Sequence, residues 1–392
     1  MKISIWHNIM WARYKAVVFS ALHREATARG DRVTVYQIAE TELRRASLSP
    51  VDASWHEYPY LLMFEGAYSE IPKQKLFWRL ARQVWSDDAD VTILSGYERP
   101  EVWLQVVILL LRRRRFAFFC DSTIFDKEQN LSKGLAKRVL FALADGVFCY
   151  GERAASYVAH YGTPREKIFI RKQAAALPHD YSAEAVLMSR IERAPSPSNP
   201  RYLYVGRLSE EKSLDKLLYA FAEVLKKIPQ ARLVIVGKGA LEQELVSIAA
   251  RLGVEKNVEF AGAKFDAALT DEYLSATCLV LPSYSEPWGL VVNESLSFGC
   301  PAIVSSRCGC VPELIIEGET GYSYSWESAR DLVDRLLRAP ERFKEVTSTA
   351  KNCIEQVSGF TPLAAAQGIL EGAAKICRRD AYVSPEREVS TR

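Results

Sequence analysis

The amino-acid sequence has no apolar run long enough to cross a membrane and no strong excess of either charge. Its most apolar run, residues 102–111, is far shorter than the roughly 20 residues that a bilayer requires. The formal net charge is only +3 over 392 residues, and no basic and aromatic motif accompanies it, which argues against nucleic acid as a partner. The first residues lack the regions of a signal peptide, so we expect a cytoplasmic protein.

The eight cysteines do not form a metal-binding pattern. Cys308 and Cys310 are the only close pair, and no further His or Cys stands beside them at the spacing of a zinc site. We therefore expect reduced, mostly buried thiols, no metal ion and no cofactor.

Strand-like and helix-like segments alternate along the chain, which predicts parallel sheets in an α/β protein. The length exceeds one ordinary core, and a polar, proline-rich stretch before Pro200 indicates a connection between two domains. Strands are predicted near residues 2–6, 32–37, 90–95, 115–119, 146–150, 201–205, 232–236, 257–260, 278–282 and 301–305. The predicted units are a first domain (1–185), a linker (186–200), a second domain (201–360), a helix (361–377) and a disordered tail (378–392).

Two carboxylates, Glu286 and Glu294, stand eight positions apart around the start of a predicted helix. Within one helix this spacing is two turns plus about 80°, so the pair would not share a face, and Glu286 is expected in the preceding loop. Pro287 suits the first helical position, and the helix is predicted to continue from Leu290 to Phe298. The free amides at such a start attract phosphate, although two solvated glutamates on a surface helix fit the pattern equally well.

Two cations follow a predicted strand upstream, where Gly206 precedes Arg207 and Lys212. A guanidinium and an ammonium can stabilise a departing diphosphate without a metal ion. Lys212 can instead be a solvated residue of the first helical turn, although a cation there opposes the helix dipole. A similar turn, with Gly237 and Gly239, would let a ligand approach the backbone, but such turns often serve only to reverse the chain.

Four motifs in this order resemble the retaining glycosyltransferases of family 4, also called glycosyl transferases group 1. The motifs are residues 205–212, 236–239, 281–294, and 309–313 with 318–321. The resemblance implies the α/β GT-B fold, in which two Rossmann-like domains with parallel sheets face each other across a cleft. It also implies that the N-terminal domain binds the acceptor and that the C-terminal domain binds a nucleotide sugar.

The resemblance implies roles for individual residues. Arg207 and Lys212 would bind the donor diphosphate, Glu286 would contact the transferred sugar, and Glu294 would bind the ribose. The remaining donor-site positions would be Gly206, Gly237, Gly239 and the backbone of Trp288, Gly289, Leu290 and Val291.

The first domain departs from the family pattern at two places. Family members often have a glycine-rich loop after the first strand, but residues 5–13 are not glycine-rich. The sequence therefore does not identify the loop that binds the acceptor. Asp121 stands where many members have a histidine near the reacting sugar. It is a candidate sugar contact or proton acceptor, and a turn-capping aspartate is an equally good interpretation.

The expected reaction is transfer of a sugar, with retained anomeric configuration, from a nucleoside diphosphate sugar to an acceptor hydroxyl. The expected acceptor is a lipid-linked or polysaccharide-precursor glycan. Contact with the inner face of a membrane is suggested by residues 102–115, which end in four arginines, and by the basic stretch 131–141. For residues 102–115 the alternative is a core helix with solvated arginines. Alternative functions are glycosylation of a small soluble natural product, a GT-B sugar-nucleotide epimerase, and a non-catalytic GT-B partner protein.

Overall fold

A computed structural model describes residues 1–43, 51–126 and 131–378 of the chain. Of the predicted disordered tail, residues 378–392, only Arg378 lies within the described residues.

Strands and helices alternate in the first half of the chain. The central strands are apolar on both faces, as expected for parallel strands covered on two sides. The strands are β1 (Lys2–Ile9), β2 (Arg32–Thr41), β3 (Tyr60–Ala67), β4 (Val91–Leu94), β5 (Arg115–Cys120), β6 (Gly146–Cys149) and β7 (Ile168–Ile170). The helices are α1 (Arg13–Ala28), α2 (Lys73–Ser86), α3 (Pro100–Leu111), α4 (Leu131–Leu143) and α5 (Glu152–His160).

Within the described residues these seven strands form one parallel sheet in the order β3-β2-β1-β4-β5-β6-β7. The chain moves outward from β1 to β3 and then returns to the other side of β1 with β4. The carboxyl ends of β1 and β4 therefore flank a topological switch point, where ligands of such sheets usually bind.

The second half repeats the plan. Its strands are β8 (Arg201–Val205), β9 (Arg232–Val236), β10 (Val258–Gly262), β11 (Cys278–Leu281), β12 (Ala302–Ser305) and β13 (Gly321–Tyr324). Its helices are α6 (Ala183–Arg193), α7 (Leu214–Leu225), α8 (Glu242–Arg251), α9 (Asp266–Leu274), α10 (Leu290–Ser297), α11 (Val311–Leu314), α12 (Ala329–Arg342), α13 (Val346–Val357) and α14 (Pro362–Arg378). The parallel order β10-β9-β8-β11-β12-β13 places a second switch point between β8 and β11.

The predicted α/β class with two parallel sheets is confirmed. The three described strands that the sequence did not predict, β3, β7 and β13, are all at sheet edges. Edge strands are partly exposed, so their sequences lack the continuous apolar run that marks a central strand.

The predicted linker, residues 186–200, begins too early. Its first part lies in α6, which docks on the second domain. Arg190 is buried there, and its guanidinium donates to the carbonyl oxygens of Leu274 at 2.7 Å and Gly299 at 3.2 Å. From the sequence alone, a buried arginine whose hydrogen bonds go to carbonyl groups cannot be distinguished from an arginine in solvent, and this explains the error.

Helix α14 leaves the second half and packs on the first. Its buried face, which includes Ala365, Ile369 and Ala373, belongs to the same apolar cluster as Ile5 of β1 and Val18 of α1. The helix predicted over residues 361–377 is therefore present, and it fastens the end of the second domain to the core of the first.

Candidate active site

The second switch point brings the predicted donor residues together. Arg207 follows β8, and the loop that carries Glu286 follows β11; these two strands are hydrogen-bonded neighbours. Lys212 ends a short 3-10 turn, Glu210–Lys212, between β8 and α7. Residues that are distant in the chain therefore meet at the carboxyl edge of the second sheet.

Glu286 lies in the loop before α10, as predicted, but the helix starts later than expected. Gly289 has a φ of +104°, a conformation that side chains rarely adopt, and it directly precedes the first helical residue. The prediction that Pro287 occupies the first helical position is wrong, because this left-handed glycine separates it from the helix. Within the described residues no acceptor takes the amides of residues 288–291, so these donors are available to an anion.

Lys212 and Glu286 form an ion pair beside the start of α10. The Lys212 ammonium donates to Oε2 of Glu286, and the two side chains are only 12% and 16% exposed. The Glu286 carbonyl oxygen accepts from the Gly309 amide at 2.9 Å, which holds the loop in place. Arg207 is more exposed and donates to Glu211 at 2.8 Å. Both predicted phosphate-binding cations therefore have acidic partners.

Glu294 lies about one helical turn after the first residue of α10, in a cavity of about 630 Å³ between the two domains. Leu290 lines the same cavity. The Tyr273 hydroxyl donates to Oε2 of Glu294 at 2.8 Å. Burial raises the pKa of Glu294 to about 7, although the bond from Tyr273 opposes this shift. A carboxyl group in this position can accept hydrogen bonds from hydroxyl groups once it is ionised.

The side chain of Trp288 is a core anchor. Its ring is buried, and its Nε1 donates to Oδ1 of Asn293 at 2.7 Å. Nδ2 of Asn293 in turn donates to the carbonyl oxygen of Gln173 in the first domain at 3.0 Å. Only the backbone of Trp288 is left for the predicted ligand contact. Through Asn293, its indole connects the loop before α10 to the first domain.

Gly237 and Gly239 are required for packing between two turns. A Cβ atom at Gly237 would lie 1.8 Å from the carbonyl oxygen of Gly206, and one at Gly239 would lie 2.2 Å from that of Leu208. The turn after β9 therefore rests directly on the turn after β8. This contact explains the two glycines without a ligand, and their role in substrate binding stays a prediction.

A second cavity, of about 550 Å³, opens at the switch point of the first sheet. We call it the N-terminal cavity. Asn8 at the end of β1, Ser95 after β4 and Asp121 after β5 line it. Arg207 reaches the same cavity from the second domain, so the predicted Arg207 and Asp121 share one space.

The N-terminal cavity adjoins the cavity of Glu294. Ala12 and Tyr14, at the start of α1, line both cavities. Arg13 lines the cavity of Glu294 and pairs with Asp266 of the second domain at 3.0 Å. Residues 5–13, whose role the sequence did not define, therefore run from β1 to the boundary between the two cavities.

Asp126 is a neighbour of Glu286 that sequence reasoning missed. Its carboxylate accepts from the Ser285 hydroxyl at 3.4 Å, and burial raises its pKa to about 6. Asp121 and Asp126 lie on one segment after β5, and the sequence offered only the strand end as a signal for the first of them.

The described part of the chain contains no helix of the length and apolar character needed to cross a membrane. In the same residues no cluster of three or more His, Cys, Asp or Glu side chains is arranged to hold a metal ion. All eight cysteines are free and seven of them are buried, which confirms the prediction for the thiols.

Residues 189–356 match the model of a protein family described as Glycosyl transferases group 1. This segment contains Arg207, Lys212, Glu286 and Glu294. A D-inositol 3-phosphate glycosyltransferase of Segniliparus rotundus is 31% identical over 208 residues, which are 51% of this chain and 45% of that relative. The chain spans about half the length of the curated relatives that it matches.

Solved structures share the fold over nearly the whole chain. The lipopolysaccharide outer core galactosyltransferase WaaB, in its apo form, has a TM-score of 0.70 at 17% identity and covers 95% of this chain and 99% of its own. Alr3699/HepE of Anabaena, in complex with UDP-glucose, has a TM-score of 0.69 at 18% identity with the same two coverages. At such identities the likeness establishes the fold alone, and it confirms the predicted GT-B arrangement of two Rossmann-like domains facing each other across a cleft.

Proposed function

We propose that this chain is a retaining glycosyltransferase that moves a sugar from a nucleoside diphosphate sugar to an acceptor hydroxyl. One observation carries the proposal: Arg207, the Lys212–Glu286 pair and the free amides of α10 surround one switch point, within the segment that matches group 1 glycosyltransferases. Glucose and UDP are bound by a neighbour of the same fold, which supports a nucleotide-sugar donor.

The nucleoside end of the donor occupies the cavity of Glu294. Ionised Glu294 accepts hydrogen bonds from the ribose hydroxyl groups, and these donors favour its charged form against the effect of burial. The exposed ring of Phe265, in the same cavity, offers a surface for the base.

The diphosphate lies between Arg207, Lys212 and the amides of residues 288–291. Negative charge grows on the leaving group as the bond to the sugar breaks, so fixed positive charge stabilises the transition state more than the bound substrate. Two cations and a helix N-terminus supply this charge, and the proposed reaction therefore needs no metal ion and no cofactor besides the donor substrate.

The sugar lies beside Glu286, next to the diphosphate site. The acceptor hydroxyl attacks from the face that the diphosphate leaves, and an oxygen of the departing diphosphate takes the acceptor proton. This route gives retention without a covalent sugar–enzyme intermediate. Asp121 binds the acceptor or the sugar across from Arg207, and closure of the two domains excludes water.

The proposed acceptor is a lipid-linked or polysaccharide-precursor glycan, reached at the inner face of a membrane. Exposed apolar residues on three helices support a membrane contact: Trp78 and Trp85 on α2, Leu111 on α3, and Leu135 on α4. Helix α2 contains four Lys or Arg residues and no acid, and Arg113 follows α3. Residues 102–115 and 131–141 thus combine buried core positions with an exposed apolar and basic surface, which fits anionic lipid.

The experiment is a screen of donor sugars in which release of free nucleotide diphosphate is measured with and without acceptors. Release that depends on a lipid-linked or polysaccharide-precursor acceptor supports the proposal, together with retained configuration at the new bond by NMR. Interconversion of the donor sugar without an acceptor would instead identify an epimerase. Transfer to small soluble acceptors alone would identify the natural-product alternative.

A further inference from the structure

Two buried cations lie beneath the N-terminal cavity. Lys15 of α1 lines the cavity although only 6% of it is exposed, and Arg171, directly after β7, is 1% exposed. In the described part of the chain neither has an acid within salt-bridge distance. By hydrogen-bond geometry the three guanidinium nitrogens of Arg171 have no partner there, while burial lowers the pKa of Arg171 and the Tyr150 side chain lies close enough to oppose this shift.

Aromatic rings surround both cations but do not neutralise them. The Tyr150 ring lies 4.8 Å from the Lys15 ammonium and 4.4 Å from the Arg171 guanidinium, and Phe119 lies 5.2 and 5.1 Å from them. Contacts of this kind are attractive, but they are weaker than the cost of taking a charge out of water. Burial accordingly lowers the pKa of Lys15, with the nearby Arg171 lowering it further and Asp121 opposing the shift.

The other charged groups of the N-terminal cavity do not compensate Lys15. Glu98 pairs with Lys137 at 3.2 Å, and Arg207 is paired with Glu211. Arg99 lies over the Tyr68 ring and is 3.9 Å from Glu101. Glu42 lines the cavity without acting on the pKa of Lys15, and the exposed Asp121 is the one described carboxylate that does act on it.

Two uncharged polar atoms that line the same cavity also lack partners. The Ser95 hydroxyl and Oδ1 of Asn8 are buried and, among the described residues, make no hydrogen bond. Both residues lie at the switch point between β1 and β4, where ligands are expected. A hydroxyl group and a lysine ammonium that line one cavity are together suited to bind an oxyanion.

We propose that Lys15, supported by Arg171 from behind and by the Ser95 hydroxyl, binds an anionic group of the acceptor, a phosphate or a carboxylate. This inference rests on the proposed function, because it treats the N-terminal cavity as the acceptor site. It adds that the acceptor carries a negative charge near the hydroxyl that receives the sugar.

The test is calorimetric titration of the full chain with sulfate while saturating UDP blocks the donor phosphate site. Sulfate is an oxyanion that does not titrate near neutral pH. We expect a dissociation constant of about 1–10 mM for the parent protein, and a value at least about tenfold higher for Lys15→Met. Lys15→Arg should retain binding, and Lys256→Met, which removes an exposed lysine of the second domain, is the matched control.

The pH dependence of sulfate binding separates ligand binding from a structural role. An anion favours the charged form of Lys15, so the sulfate affinity of the parent protein should fall as the pH is raised through the pKa of Lys15, which burial lowers. Lys15→Met should abolish this pH dependence. If that variant does not fold by circular dichroism, Lys15→Gln and the pH dependence of the parent protein carry the test.

Equal sulfate affinity in the parent protein and Lys15→Met, or the same pH dependence of sulfate binding in both proteins, would overturn the proposal. So would a parent protein that binds UDP but takes no sulfate up to about 50 mM. Failure to bind UDP would instead contradict the proposed function. Repeating the titration with acetate distinguishes the two sources, because a carboxylate site prefers acetate and a phosphate site prefers the tetrahedral sulfate.

Discussion

Replacing Lys212 by alanine tests the proposed chemistry at the cation that is most tightly held. Its ammonium is paired with Glu286. A bound diphosphate must share this ammonium with the carboxylate, so Lys212 contributes little net free energy to ground-state binding. Its contribution grows in the transition state, when charge develops on the leaving oxygen. Lys212→Ala should therefore lower turnover more than donor affinity.

The expected magnitudes follow from this arrangement. Loss of one donor to a developing oxyanion lowers kcat by about 10²–10³-fold. The dissociation constant for UDP should rise by no more than about tenfold, the effect of losing one partly compensated charge-assisted hydrogen bond. The variant also leaves Glu286 unpaired at 16% exposure, which should lower the free energy of unfolding by about 1–3 kcal/mol, less than for a fully buried pair.

The assay needs kcat, the UDP dissociation constant and thermal unfolding of the same preparations. Lys212→Arg should recover part of the turnover, and Lys226→Ala, which removes an exposed helical lysine paired with Glu223, is the control. Unchanged turnover in Lys212→Ala, with a working donor and acceptor, would refute the assignment. A loss of UDP binding as large as the loss of kcat would refute the argument that the ion pair offsets ground-state binding.

Other predictions address the ribose contact, the proposed membrane surface and the glycine turn. Because burial raises the pKa of Glu294 to about 7, the affinity for UDP-glucose, whose phosphate groups do not titrate near neutral pH, should increase about tenfold from pH 6 to pH 8, and isothermal titration should show no such rise for Glu294→Gln. Combined Trp78→Ser and Trp85→Ser should weaken sedimentation with anionic vesicles about tenfold, whereas Tyr219→Ser, equally exposed on α7, should leave it unchanged. Gly237→Ala should cost more than about 2 kcal/mol of unfolding free energy by denaturant titration, against about 1 kcal/mol for Gly253→Ala, whose Cβ would meet no atom.

The residues of the proposed donor site could be brought together on paper from the sequence, because each segment that carries them has a local signature. One signature is a strand that ends in glycine and is followed by cations, and another is an acid in the loop before a helix. Each can be recognised within about a dozen consecutive residues. The Lys212–Glu286 pair was not predicted, since it depends on β8 and β11 being neighbours in the sheet. Sequence order alone does not give that pairing.

The same limit explains the glycine turns and Trp288. The sequence identifies a turn at Gly237, but only the contact with Gly206 shows that the missing Cβ makes room for another turn. Trp288 lies inside a recognisable motif, yet its ring binds Asn293 and braces the first domain. A motif therefore predicts which residues lie near a ligand better than it predicts which atoms face it.

Lys15 and Arg171 could not have been recognised from the sequence, because burial gives them their significance. A lysine on a helix is ordinarily solvated, and an arginine after an edge strand is no more informative. Each becomes unusual only because Phe119 of β5 and Tyr150 after β6 lie against both cations and no acid among the described residues pairs with them. The proposed acceptor site thus depends on tertiary packing, whereas the proposed donor site depends on local motifs. Specificity for the acceptor is accordingly best tested at buried residues that no motif contains.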